Sequence, residues 1–278
     1  MSYGVKGCPH CGGEGYVTGV DGAWARATVC SCVETCVLCD GAGRRLVEQD
    51  GSMRLARCRC RLLPDRIELF NGARFPGRHH NSSFNTFNKG LPDVMEGFVQ
   101  SYKWTEMWTA EMKGLVLHGD VGRGKTHLLI AAMRELVFRH GIRVRFVEFT
   151  HLLGDLKAGF DQGRSAEVLL NPLVEYDVLA IDELGRGRCT EWEMGVLDTL
   201  ISKRYNSMKQ IVGTTNYGTG RATGQVTPNL SKPAKWDRSG ESNQPTLADR
   251  VGRRVYSRLR EVCAFVPVSG QDFRERMG

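Results

Sequence analysis

The run Gly119, Asp120, Val121, Gly122, Arg123, Gly124, Lys125, Thr126 has the residue types that a phosphate chain requires. Its glycines let backbone N–H groups crowd round phosphate oxygens, Lys125 reaches the outer phosphates, and the Thr126 hydroxyl offers a ligand to magnesium, with His127 directly after it. Further along, Asp182 and Glu183 stand side by side. Asp182 suits the magnesium shell and Glu183 suits the polarisation of an attacking water, so the pair points to ATP hydrolysis rather than nucleotide storage. Asn216, at the exit of a later apolar run, is placed to orient that water or to touch the terminal phosphate.

A second set of residues points to metal. Of the ten cysteines, eight precede residue 61. Cys8 and Cys11 are followed by Gly13 and Gly15, and eighteen residues separate Cys11 from the pair Cys30 and Cys32. Shifted by 28, the pattern recurs as Cys36, Cys39, Gly41, Gly43, Cys58 and Cys60, an internal duplication that keeps ligands while other positions drift. Thiolates at CxxC spacing grip one side of a tetrahedral zinc and a hairpin returns the CxC pair to the other, so two structural zinc ions with four cysteines each are expected. The simplest pairing puts Cys8, Cys11, Cys30 and Cys32 on one ion and Cys36, Cys39, Cys58 and Cys60 on the other. His10 reads as a spacer, and Cys189 and Cys263 as small core residues.

These groups need elements to hold them. Leu115 to His118 reads as a buried strand before the phosphate loop, and the apolar spacing after the loop reads as a helix stopped by Gly141. Ile142 to Phe149 alternates like a strand, Thr150 opens a short helix, and Asp177 to Glu183 is an apolar strand ending in the two carboxylates. Thr190 and Glu193 form a capping box for a helix running to about Ser207, and Ile211 to Asn216 is a further strand. Thr246 to Glu261 reads as one helix, with Leu247, Val251, Val255 and Leu259 on one stripe and Arg250, Arg254 and Arg258 beside it; a last strand follows. Asp21-Gly22 and Asp50-Gly51 mark the turns of the two cysteine hairpins. The organisation expected is residues 1–62 as tandem zinc modules, 63–85 as a linker and 86–278 as an ATPase domain, with 217–245 a mobile surface loop carrying Arg221, Lys232, Lys235 and Arg238.

An apolar content of 41% supports a real core and excludes a disordered chain. No apolar run reaches membrane-spanning length and no secretion signal is visible, so a cytoplasmic address without a membrane partner is expected. The net charge of +7 favours a polyanionic partner, and Arg44, Arg45, Arg54, Arg57, Arg59 and Arg61 gather in the second cysteine module, where they suit nucleic acid, an acidic protein surface or a solvated face.

The knuckles CPHCGGEG and CVLCDGAG resemble the CxxCxGxG repeats of the DnaJ cysteine-rich region, where outer repeats share one ion and inner repeats the other; by that resemblance a crossed pairing stays open here. GDVGRGKTHL, DVLAIDELG, GTTN and RRVYSRLREVCAFVPVSGQDFR, in this order, resemble the AAA+ ATPases of the DnaC/DnaI helicase-loader and IstB group over roughly residues 74–278. The resemblance implies an α/β fold, an AAA+ P-loop parallel sheet with flanking helices, here preceded by a small zinc-stabilised β-hairpin domain. It implies that Lys125 and Thr126 belong to Walker A, Asp182 and Glu183 to Walker B and Asn216 to sensor 1. It makes Arg258 the arginine finger acting on a neighbouring subunit, with Arg254 the alternative, and Arg274 a sensor 2 residue that touches nucleotide. The function it implies is ATP-dependent loading of a replicative hexameric DNA helicase onto single-stranded DNA, with self-association through the ATP interface and the zinc domain holding the helicase. An IstB-like transposition ATPase that binds duplex DNA and recruits a transposase is the alternative. A zinc module acting as a chaperone-like binder, with the ATPase as its switch, is a third reading.

Overall fold

The computed structural model describes residues 3–90, 95–220, 245–270 and 272. Its chain divides into one unit of Met1–Asn81 with Arg134–Ile142, and a second of Ser82–Met133 with Arg143–Gly278.

Two antiparallel hairpins open the first unit: β1 (Tyr16–Asp21) with β2 (Trp24–Val29), and β3 (Arg44–Gln49) with β4 (Ser52–Arg57). Asp21 pairs with Trp24, so the first turn is Gly22-Ala23, one residue later than Asp21-Gly22 suggested. The 28-residue register explains the shift, because Gly22-Ala23 falls opposite Asp50-Gly51 of the second hairpin. Asp50 and Gly51 both have positive φ (50° and 73°), the demand of a tight two-residue turn; Gly22 (58°) meets it in the first. Residues 63–85 are not a plain linker: α1 (Leu62–Ala73) buries Leu63, Ile67, Phe70 and Ala73, and stops at Arg74 in the left-handed region. Pro64 hid this helix in the sequence, yet it sits in the first turn, where a missing N–H costs nothing. Asn71 holds both backbone groups of Ala27, donating to its carbonyl at 3.1 Å and accepting from its N–H at 2.8 Å. The Tyr16 ring stacks on Phe138 with centroids 3.8 Å apart, and Arg134 donates to the Tyr16 hydroxyl and to Glu14.

The second unit is the expected α/β layer structure. Its parallel sheet runs β6 (Val144–Glu148), β7 (Val178–Asp182), β8 (Gln210–Thr215), β5 (Gly114–His118), β9 (Cys263–Pro267). Every residue of β7 and β8 is buried, the signature of strands covered on both faces by helices. The helices are α2 (Met95–Glu106), α3 (Lys125–Glu135), α4 (Phe149–Asp161), α5 (Ala166–Glu175), α6 (Glu191–Asn206), α7 (Leu247–Val251) and α8 (Arg253–Val262). A π-helical stretch, Leu136–His140, follows α3, ends at Gly141 with φ 74°, and belongs to the first unit. The single helix expected over Thr246–Glu261 is two, because Gly252 takes φ 83° and ψ 149° between α7 and α8. Leu247, Val251, Val255 and Leu259 nevertheless all point into one core with Leu179, Ile181, Leu197 and Leu200. Gly114 must be glycine, since a Cβ there would lie 1.8 Å from the Ile211 carbonyl oxygen.

Arg204 is fully buried and donates to the carbonyls of Leu173, Val174, Tyr176, Asp177 and Gln210, tying the end of α5 to the starts of β7 and β8. Among the described residues no helix is long and apolar enough to cross a membrane. Residues 221–244 of the expected loop, with Arg221, Lys232, Lys235 and Arg238, lie outside the described residues, as does Arg274.

Candidate nucleotide and metal sites

The strands β7, β8 and β5 are adjacent, and His118 pairs in register with Thr215 where both end. Ligands of open parallel sheets collect at such carboxyl ends. The phosphate-binding run bridges β5 and α3 here, with Gly122 and Gly124 in the left-handed region at 78° and 79°. Gly119 leaves no room for a side chain: a Cβ would stand 2.4 Å from the Val268 carbonyl oxygen. The loop therefore delivers its backbone to the N-terminus of α3, which attracts anions through unpaired N–H groups and the helix dipole.

Lys125 is 6% exposed and its Nζ donates to the Asp120 carbonyl at 2.6 Å. Burial lowers its ammonium to about 8, against the pull of Asp182 and Asp120. Arg123 pairs with the Asp120 carboxylate at 2.6 Å, and Val121 is exposed at the loop tip. The Thr126 hydroxyl stands 3.0 Å from each carboxylate oxygen of Asp182. Asp182 is 4% exposed, and burial raises its pKa in spite of hydrogen bonds from Thr214 and Thr126. A buried carboxyl beside a hydroxyl is a pair of hard oxygen donors short of positive charge, so these residues fit magnesium.

Glu183 takes φ 57° directly after the strand, a strained position for a side chain of this kind. Its N–H donates to the Thr214 hydroxyl at 3.0 Å, and that hydroxyl donates to Asp182 Oδ1 at 2.5 Å. Thr214 thus fixes both acids, and the sequence reading missed it: a threonine inside a buried strand looks like packing until the neighbouring strand is known. The Glu183 carboxylate accepts from Arg186.

Other expected residues are placed as follows. Asn216 lies half-buried just past β8. His127 is turned from the loop: its Nε2 lies 2.9 Å from the Ser83 carbonyl and its ring meets the edge of Phe87. Burial keeps its imidazole below the usual histidine range. Arg250 is not available to a neighbour, since it is 6% exposed, donates to the Gly185 and Gly187 carbonyls and lies over Tyr217, bracing the turn after Glu183. Arg258 pairs with Asp198 at 2.7 Å, while Arg254 stands 3.7 Å from the same carboxylate and is largely exposed.

The eight cysteines form two groups, Cys8, Cys11, Cys30, Cys32 and Cys36, Cys39, Cys58, Cys60, each with all sulfurs within 4.8 Å of one another. The grouping is sequential, not crossed. Paired sulfurs stand 3.9 Å and 3.5 Å apart in the first and 3.7 Å and 3.4 Å in the second. Tetrahedral zinc with bonds of about 2.3 Å puts sulfurs roughly 3.8 Å apart, so both groups fit zinc. The Gly15 N–H donates to Cys11 Sγ and the Gly43 N–H to Cys39 Sγ, each at 3.3 Å, which stabilises thiolate and explains why these glycines recur with the ligands.

A sequence model of the IstB-like ATP-binding proteins matches residues 68–225. The replicative helicase loader DnaC of Escherichia coli (strain K12) is 26% identical over 192 residues, 69% of this chain and 68% of that one. The phage-like element PBSX protein XkdC of Bacillus subtilis (strain 168) is 27% identical over 188 residues, 64% of this chain and 70% of that one. A crystal structure of the DnaC helicase loader superposes with a TM-score of 0.55 at 25% identity, covering 69% of this chain and 99% of that one.

Proposed function

Because the chain belongs to the family of IstB-like ATP-binding proteins, we propose that it hydrolyses ATP to load a replicative hexameric DNA helicase onto single-stranded DNA. The observation that carries hydrolysis is the four-residue arrangement of Thr126, Asp182, Thr214 and Glu183, which sets a magnesium-type ligand pair beside a second, separately held carboxylate. The likeness to DnaC supports the helicase as partner. In this reading residues 1–62 hold the helicase and residues 86–278 work on the nucleotide.

Lys125 and the loop N–H groups hold the outer phosphates. Thr126 and Asp182 hold magnesium, which when bound neutralises charge on the transferred phosphoryl group. Glu183, once parted from Arg186, takes the proton of the attacking water, and Asn216 orients that water. Arg258 leaves Asp198 to reach the nucleotide of a neighbouring subunit, and Arg274 contacts it from its own chain, so ATP binding and self-association go together.

Two experiments test this. Glu183→Gln is expected to lower kcat by about 10²–10⁴-fold with ATP binding retained, and turnover at the parent rate would remove Glu183 from the chemistry. Native mass spectrometry of the full chain with the hexameric helicase, with and without ATP, is expected to show a complex. The second reading is an IstB-like transposition ATPase, since the family model that matches is that of the IstB-like ATP-binding proteins; stimulation by duplex rather than single-stranded DNA, with no helicase complex, would establish that instead.

A further inference from the structure

The duplication lets one half of the first unit report on the other. On one face of the first hairpin stand Tyr16, Thr18, Val20, Ala25, Ala27 and Val29, since directly opposed residues share a face. The 28-residue shift carries these to Arg44, Leu46, Glu48, Met53, Leu55 and Arg57, and the pairings Arg44 with Arg57, Leu46 with Leu55 and Glu48 with Met53 confirm that they too form one face. In the first hairpin the middle of the face is closed: Tyr16, Ala25 and Ala27 are 6%, 0% and 2% exposed, and α1 and the turn after it pack on β2 through Asn71 and the Phe75 carbonyl, while Val20 and Val29 at the two ends are 59% and 47% exposed. In the second it is open, with Leu46, Met53 and Leu55 63%, 61% and 61% exposed. At the positions equivalent to buried Ala25 and Ala27 the second hairpin thus carries the larger apolar side chains Met53 and Leu55, and they stand in water. Small alanines make room for a resident helix in the first hairpin, and large flexible side chains stand exposed at the matching positions of the second.

The charge differs as well. Residues 36–61 hold six arginines against Asp40, Glu48 and Asp50, whereas the equivalent 8–33 hold Arg26 against Glu14 and Asp21. Of the six, Arg57 and Arg61 pair with Asp65 of α1, which anchors one end of the hairpin; Arg44 stands on the face of the apolar strip, Arg59 follows β4, and Arg45 and Arg54 are on the opposite face. The same stretch has no aromatic residue, so it lacks the platforms on which single-stranded bases stack. A leucine and methionine strip with Arg44 at its end, in a module where six arginines stand against three acids, suits protein, and acidic protein at that.

We propose that the Arg44, Leu46, Met53, Leu55 face of the second zinc hairpin is a docking surface for an amphipathic α-helix of a partner protein, its apolar stripe flanked by acidic residues, in the way that α1 packs on β2 of the first. This deepens the loader reading by naming the surface that takes the partner, and the surface itself rests on the repeat alone.

The test uses the full chain with zinc bound and a labelled amphipathic peptide of about 18 residues, leucines at i, i+3, i+4 and i+7 and glutamates elsewhere, beside a copy with lysines for glutamates. The glutamate peptide is expected to bind at least about tenfold tighter than the lysine peptide and to gain helical circular dichroism on binding. The double variant Leu46→Glu with Leu55→Glu is expected to lose about tenfold or more with zinc content unchanged, while Val37→Glu, exposed in the same module but off the strands, binds as the parent does. Equal binding of both peptides, or full binding by the double variant, overturns the proposal. So does a double variant whose only defect is in binding oligo(dT) or in self-association, which would assign the face to DNA or to a second copy. The same proteins are then mixed with the hexameric helicase. A parent chain that binds the glutamate peptide but not the helicase keeps the surface and removes the loader; a double variant that binds helicase as the parent does removes the surface and keeps the loader.

Discussion

The two hairpin modules have the same ligand spacing, the same glycines and the same strand register, yet one is part of a core and the other is not. The first contributes Tyr16, Ala25 and Ala27 to the packing of α1 and Phe138; the second buries a cysteine and a glycine and little else. A structural metal would account for this asymmetry, because apparent zinc affinity of about 10–16 kcal/mol would hold a hairpin that has no core of its own. Zinc held by Cys36, Cys39, Cys58 and Cys60 would free the second copy from packing.

The largest expected effect is on metal removal. Cys30→Ser and Cys58→Ser should each leave one zinc per chain by metal analysis, but only Cys30→Ser should open the core round Tyr16 and α1, seen as lost amide protection in Ile67 and Phe70. Equal loss of protection in both variants would break the distinction between a built-in and a free module. Next come two positions in register. Tyr16→Ala should cost about 3–5 kcal/mol in urea unfolding, while Arg44→Ala, at the equivalent exposed position, should stay within about 0.5 kcal/mol. Asn71→Ala should cost about 1–3 kcal/mol, since it strands both backbone groups of Ala27. The smallest effect belongs to Leu55→Ser, within about 0.5 kcal/mol by the same measurement, because its side chain is already in water. A large loss there would show that the second face is packed after all.

Residues that act through their own chemistry were legible in the chain. The phosphate-binding run, the Asp182 and Glu183 pair and the eight cysteines each announce themselves by type and spacing. Elements whose partners lie far away were not. α1 hides behind Pro64, α5 contains Pro172, and Gly252 splits what periodicity reads as one helix. Thr214 and Arg204 are unremarkable residues in sequence; their weight comes from carbonyls and carboxyls on other strands. His127, next to the loop in sequence, is drawn away by Ser83 and Phe87.

By itself the sequence determined the donor sets, the residues gathered in the loop after β5 and those of the two cysteine knuckles, since spacing of a few residues along a loop or knuckle is a local matter of bond lengths and turn geometry. Tertiary structure decided how those sets are shared and faced. It grouped the cysteines sequentially, closed one hairpin and left its twin open, and put one threonine hydroxyl between two acids, because each of these depends on distances between segments that no local pattern encodes.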